Sequence, residues 1–80
     1  MGEEAARTID IRGLVCPMTF VKAKLAIEDM ITGGLLSITL DYEPATRSIP
    51  NSMRELGHEV LAIEQTGPKE WRLTIRKRGE

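Results

Sequence analysis

The chain has 80 residues, a formal net charge of −1 and a single cysteine, Cys16. That length holds one domain, residues 1–80, with a small core and an ordered stretch expected over about 8–77. One cysteine excludes an internal disulfide and a cysteine-rich zinc site, and eleven basic side chains against twelve acidic ones exclude bulk attraction to nucleic acid.

Taken in chain order, Thr8-Ile9-Asp10-Ile11-Arg12 alternates apolar and polar residues at the strand period of two. Cys16-Pro17 follows, and proline favours the first position of a helix. The predicted first helix runs from near Pro17 to the stop at Gly33-Gly34. Phe20, Ala23, Ile27, Met30 and Ile31 fall on one stripe, and Lys22 and Asp29 face away from it. Leu36, Ile38 and Leu40 alternate with Ser37, Thr39 and Asp41 in a second strand. A second helix is predicted from Ser48, as N-cap, to Leu56, with Ile49, Met53 and Leu56 on its face, Pro50 in its first turn and Gly57 as C-terminal cap. Glu59 to Thr66 reads as a third strand in which Leu61 and Ile63 oppose Val60, Ala62 and Glu64. Thr66-Gly67-Pro68-Lys69 is a hairpin turn, and Trp71, Leu73 and Ile75 alternate with polar residues in a fourth strand.

Alternation, in place of continuous apolar runs, means that one face of the sheet is wet and the helices lie on the other. The expected fold is therefore α+β, a two-layer α/β sandwich of order β-α-β-α-β-β, with a four-stranded mixed sheet and two helices on one face. The ends, Met1 to Arg7 and Gly79-Glu80, are expected to fray. No apolar run approaches the roughly 18 residues of a membrane span. The start Met1-Gly2-Glu3-Glu4 lacks the basic and apolar regions of a secretory signal, so a cytoplasmic location is expected.

The placement of Cys16 beside Pro17 sets its thiol at or next to a helix start, where unpaired amide groups and the helix dipole favour negative charge. The thiolate is the reactive form of cysteine. Two readings follow: a reactive thiol displayed on a strand-to-helix loop, or a small buried hydrophobe without chemistry. Met18, Val21 and Leu25 fall on the side of helix one away from its stripe. They offer either a docking surface for a partner or scattered surface hydrophobes. Lys22 and Lys24 can orient an acidic partner or simply be solvated, and Arg12 can pair with Asp10 or Asp41 or add charge near the thiol. His58, the one histidine, reads as a turn and packing residue and not as the base of a Cys-His pair. One Cys and one His leave a tetrahedral metal short of ligands, and no phosphate loop or dinucleotide fingerprint is present, so no metal or other cofactor is expected.

Arg12-Gly13-Leu14-Val15-Cys16-Pro17, followed by Lys24, Ala26 and Ile27, resembles the TusA/SirA/YedF family of small sulfur carriers. The family signature is an Arg-Gly-Leu-x-Cys-Pro-x-Pro block and a helix with a lysine and an Ala-Leu pair. Ser48-Ile49-Pro50 and Gly57-His58-Glu59-Val60 continue the resemblance, which spans residues 8 to 77. It implies a sulfurtransferase in which Cys16 accepts sulfane sulfur as a persulfide and relays it to an acceptor protein. The donor would be a cysteine desulfurase or a rhodanese-type sulfurtransferase, and the pathways served include tRNA thiolation and molybdenum-cofactor sulfuration. Arg12, Gly13, Pro17, Thr19 and Lys24 then form the thiol environment, and Met18, Val21, Lys22 and Leu25 the docking candidates. Thr19 departs from the pattern, standing where the family has its second proline. Its hydroxyl is expected to bond to the backbone near Cys16, and the departure bears on which donor and acceptor are read. The alternative function is a non-catalytic interaction module, or an RNA-contacting one using Arg72, Arg76, Thr39 and Thr74 on the wet face. That face lacks an aromatic, because Trp71 points to the core side, and carries Asp10 and Asp41.

Overall fold

A computed structural model describes residues 7–78. The element order is β1 (Arg7–Asp10), α1 (Met18–Glu28), β2 (Leu35–Leu40), α2 (Ala45–Glu55), β3 (Glu59–Gly67) and β4 (Glu70–Arg76). The strands form one sheet in the order β1-β2-β4-β3, with β1 parallel to β2 and the other neighbours antiparallel. This is the α+β sandwich expected, with a mixed sheet. The expectation of frayed ends falls at residues 1–6 and 79–80, which lie outside the described residues. Arg7, grouped with those ends, is instead the first residue of β1 and sits in register with Leu36.

Period-two alternation holds where the sheet has a dry side. Leu36, Ile38 and Leu40 in β2 and Leu73 and Ile75 in β4 are fully buried, while Ser37, Thr39 and Thr74 between them are partly wet. In α1 the buried residues are Thr19, Ala23, Ala26 and Ile27, and in α2 Ala45, Ile49, Pro50 and Met53. Trp71 and Tyr42 pack against this core from its margin.

Several helix details differ from expectation. The first helix stops at Glu28, five residues before Gly33, because other groups take over its end. Lys77 Nζ donates to the carbonyls of Glu28 (3.1 Å) and Met30 (2.5 Å). Gly33 N–H donates to Lys77 O at 2.7 Å, and Lys77 N–H to Gly34 O at 2.9 Å. Ile31 therefore lies outside the helix and is 68% exposed, and the inner stripe is rotated onto small residues, leaving Phe20 half-buried. The second helix begins at Ala45 with Pro44 as its N-cap, so Ser48 is interior. Pro50 is the sixth helical residue and not part of the first turn. The stripe is Ala45, Ile49 and Met53 at steps of four, and Leu56 is exposed. Gly57 does close the helix. Its φ is +93°, its N–H donates to Arg54 O (3.0 Å), and His58 N–H donates to Met53 O (2.9 Å), the paired bonds of a Schellman cap. In β3, a register shift between Val60 and Ala62 leaves Leu61 outside the ladder and exposed.

Candidate functional site

Residues Ile11–Pro17 join the end of β1 to α1, and the sheet holds their first half firmly. Ile11 is buried, and its N–H donates to Thr39 O at 2.8 Å. Gly13 turns the chain with φ +89°, and its N–H donates to Asp41 Oδ1 at 2.9 Å. Leu14 packs against the core, and its N–H donates to Ile11 O. Arg12 grips Asp10 with a two-pronged contact, Nε to Oδ1 at 2.9 Å and NH2 to Oδ2 at 2.7 Å, and reaches Glu70 at 3.4 Å. These hydrogen bonds and the guanidinium charge hold the Asp10 carboxyl well below its ordinary range, at about 2. Of the two acids considered for Arg12, Asp10 is its partner, while Asp41 serves the Gly13 amide. Glu70, distant in sequence from the loop, was not singled out as a partner of Arg12, and Asp41 was considered for Arg12 but not for the Gly13 amide; no local pattern marks either contact.

The second half of the loop is open. Cys16 is exposed. The Cys16–Pro17 peptide is cis, and Pro17, expected as the first helical residue, is instead the N-cap of α1, which begins at Met18. No side chain caps this helix start among the described residues. Thr19 N–H donates to Val15 O (3.2 Å) and Val21 N–H to Pro17 O (3.0 Å), while the N–H groups of Met18 and Phe20 find no backbone acceptor among the described residues. The thiol thus sits one residue outside a helix N-terminus with open donors.

Thr19 corrects an expectation. Its side chain is fully buried and its hydroxyl has no hydrogen-bond partner, so it does not cap the loop near Cys16. The side chain turns inward with Ala23 and Ala26, away from the helix start. What threonine contributes, and proline could not, is the N–H bound to Val15 O. A partner at the surface cannot read this side chain directly.

Val15 beside Cys16, and Met18, Val21 and Leu25 along the outer face of α1, are apolar and between 37% and 59% exposed. Lys22 is exposed on the same helix, and Lys24 Nζ is paired with Glu28 one turn on, at 2.6 Å. Lys24 therefore has a partner within its own helix. His58 lies far from this region in the fold. Its Nδ1 accepts from Arg78 N–H at 3.0 Å, and burial, with the nearby Lys77 charge, pushes its pKa below the ordinary histidine value. No group of three or more potential metal ligands is present among the described residues, and no helix is long and apolar enough to cross a membrane. On the wet sheet face, Glu59 lies within ion-pair reach of Arg76 (3.8 Å) and Arg78 (3.7 Å), and Glu64 stands opposite Arg72 in the β3–β4 register. Trp71 and Tyr42 face the core, so this surface has neither the aromatics nor the unbalanced charge of an RNA platform.

The family model for sulfurtransferase TusA matches residues 7–77. The chain belongs to the TusA family. Relatives of this TusA-family chain include a "Putative sulfur carrier protein" of Archaeoglobus fulgidus, 48% identical over 75 residues, covering 94% of this chain and 85% of the relative. Another of the same name, from Thermotoga maritima, is 41% identical over 73 residues, covering 91% and 92%. The crystal structure of a SirA-like protein from Desulfitobacterium hafniense superposes with a TM-score of 0.78 at 24% identity, covering 89% of the TusA-family chain and 96% of that one, and so shares its fold.

Proposed function

We propose that this protein is a cytoplasmic sulfur carrier whose Cys16 holds sulfane sulfur as a persulfide between a donor and an acceptor protein. The observation that carries the reading is the exposed thiol one residue before the N-cap of α1, with Val15 beside it and Met18, Val21 and Leu25 exposed along the helix that follows, in a chain of the TusA family. Sulfur transfer needs one thiol per protein. The Cys16 thiolate attacks the outer sulfur of a persulfide on the donor. A new S–S bond forms on Cys16, the donor's S–S bond breaks, and the donor leaves as a thiolate. An acceptor thiolate then attacks the same outer sulfur and releases the Cys16 thiolate, so the two steps balance without an external oxidant or reductant.

The chain's own residues support each stage. The open amide donors and the positive end of the α1 dipole favour the anionic persulfide and the thiolate left after transfer. The Asp41–Gly13 and Arg12–Asp10 bonds fix the loop that presents the thiol. Met18, Val21 and Leu25 give partners an apolar footing, and Lys22 an electrostatic one. A cysteine desulfurase or a rhodanese-type protein is the donor class, and tRNA thiolation or molybdenum-cofactor sulfuration are routes such a carrier serves. With a single cysteine, the loaded protein cannot resolve its persulfide into an internal disulfide.

The test is intact mass after incubation with a cysteine desulfurase and cysteine, or with thiosulfate and a rhodanese. A gain of one sulfur atom that disappears in Cys16→Ser is expected. No adduct from either donor would remove the carrier reading in favour of an interaction module.

A further inference from the structure

Strand β1 is an edge of the sheet. The Ile11 N–H bond to Thr39 O shows which backbone groups point toward β2, and by alternation Arg7 and Ile9 share that direction. The N–H and C=O of Thr8 and Asp10 consequently point outward and have no backbone partner among the described residues. Between this edge and α1 runs a groove of about 420 Å³. Ile9, Leu14 and Leu25 form its apolar wall. Among the charged groups on its rim, Arg7 is paired with Asp29 at 3.3 Å and Asp10 with Arg12 at 2.7 Å. Among the described residues Lys22 has no acidic partner and is the one rim charge left uncompensated. Leu14 is two residues from Cys16, and Leu25 is one of the exposed apolar residues of α1. The groove thus shares Leu25 with the exposed apolar face of α1 that leads back to the thiol loop, and Cys16 itself lies outside its lining.

We infer that the groove receives an extended, cysteine-bearing segment of the protein that exchanges sulfur with Cys16, added as a fifth strand on β1 with a carboxylate opposite Lys22. Strand addition explains why an edge, an apolar trough and a single cation converge beside the loop. Backbone bonds at Thr8 and Asp10 supply register, Leu14 and Leu25 take alternate side chains, and Lys22 selects an acidic one. The inference rests on the sulfur-carrier reading for the identity of the partner and not for the existence of the groove.

The probe is a synthetic peptide of alternating valine and glutamate ending in cysteine activated as its thionitrobenzoate disulfide. Activated glutathione is the comparator. Cys16 thiolate attacks the cysteine sulfur, a mixed disulfide forms, and thionitrobenzoate leaves and is read by its absorbance. The peptide should react at least about tenfold faster than activated glutathione, as docking raises the effective concentration of its sulfur. Lys22→Glu, a change at an exposed helix position, and Thr8→Pro, which removes an outward N–H only, should each abolish that preference. The quantity read is the ratio of the two rates within each variant, so a change shared by the peptide and activated glutathione leaves the preference intact. In the peptide adduct, amide hydrogen exchange should slow at Thr8 and Asp10. Equal rates for the two disulfides, an undiminished preference in Lys22→Glu, or unchanged exchange at both amides would overturn the inference. Sulfur loading by a desulfurase without peptide preference would remove the groove and leave the carrier. Peptide preference without sulfur loading would do the reverse.

Discussion

The two poles of the molecule use the same materials to opposite ends. At one pole α1 and α2 finish, and every helix end is closed from within. Lys77 covers the carbonyls of Glu28 and Met30, Gly57 and His58 complete the cap of α2, and Arg78 N–H is taken by His58 Nδ1. At the other pole α1 starts without a side-chain cap, beside an exposed cysteine and four exposed apolar side chains. Both poles turn the chain on a glycine at positive φ, Gly57 at +93° and Gly13 at +89°. The difference teaches that polar satisfaction holds the fold at one end, while the other leaves donors and apolar surface open for a partner.

Matched glycine substitutions should separate the poles most strongly. Gly13→Ala and Gly57→Ala each place a Cβ in the left-handed region, at about 1–2 kcal/mol. At Gly13 no atom lies within 4 Å of the added Cβ, so strain alone operates. In a domain of this size, the thermal midpoint should fall by about 4–8 °C per kcal/mol in both. Only Gly13→Ala should also slow sulfur loading, since its amide bond to Asp41 sets the thiol loop. Equal loading by the two variants would break the contrast.

The poles should also titrate apart. His58 has a folded pKa below its ordinary value of 6.5, so the unfolded chain binds its proton first. Its contribution is present above about pH 6.5 and is lost as pH falls through that value toward the folded pKa. Thermal midpoints measured across this range should drop less steeply in His58→Gln, with sulfur loading unchanged. At the thiol pole, Asp10 is lowered from 3.8 to about 2, so its contribution persists to lower pH and is lost between those values. An NMR titration should find the Asp10 carboxyl near 2, returning toward 3.8 in Arg12→Gln.

Smaller effects sharpen the picture. Thr19→Val removes a buried hydroxyl without a partner and should stabilise the protein by up to about 1 kcal/mol in chemical denaturation, with loading intact. Lys24→Ala breaks a half-exposed pair with Glu28 and should cost no more than about 0.5 kcal/mol.

Much of the thiol pole was legible because its determinants are local. Cys16-Pro17 marks a helix start, and Met18, Val21 and Leu25 fall on the outer face by periodicity alone. The period-two strands and Gly57 were legible for the same reason. What could not be read depends on residues far apart in sequence. Met30 and Ile31 continue a helical stripe, yet α1 ends early because Lys77 and the Gly33–Lys77 backbone bonds capture the chain there. Ser48 looks like a cap because it is polar and precedes Ile49. The stripe instead extends back to Ala45, whose small side chain gave no signal. Asp41, just past the end of β2, and Glu70, the first residue of β4, reach the loop from distant parts of the chain, which only the fold reveals.

The central claim is that one sulfur atom resides on Cys16 after loading. Cyanide attacks the outer sulfur of a persulfide, releases it as thiocyanate and restores the thiol, so thiocyanate counts the carried atoms. After incubation with a cysteine desulfurase and cysteine, then removal of both, the protein should yield close to one thiocyanate per chain, and Cys16→Ser none. The same yield from Cys16→Ser, or none from the native chain, would contradict the account.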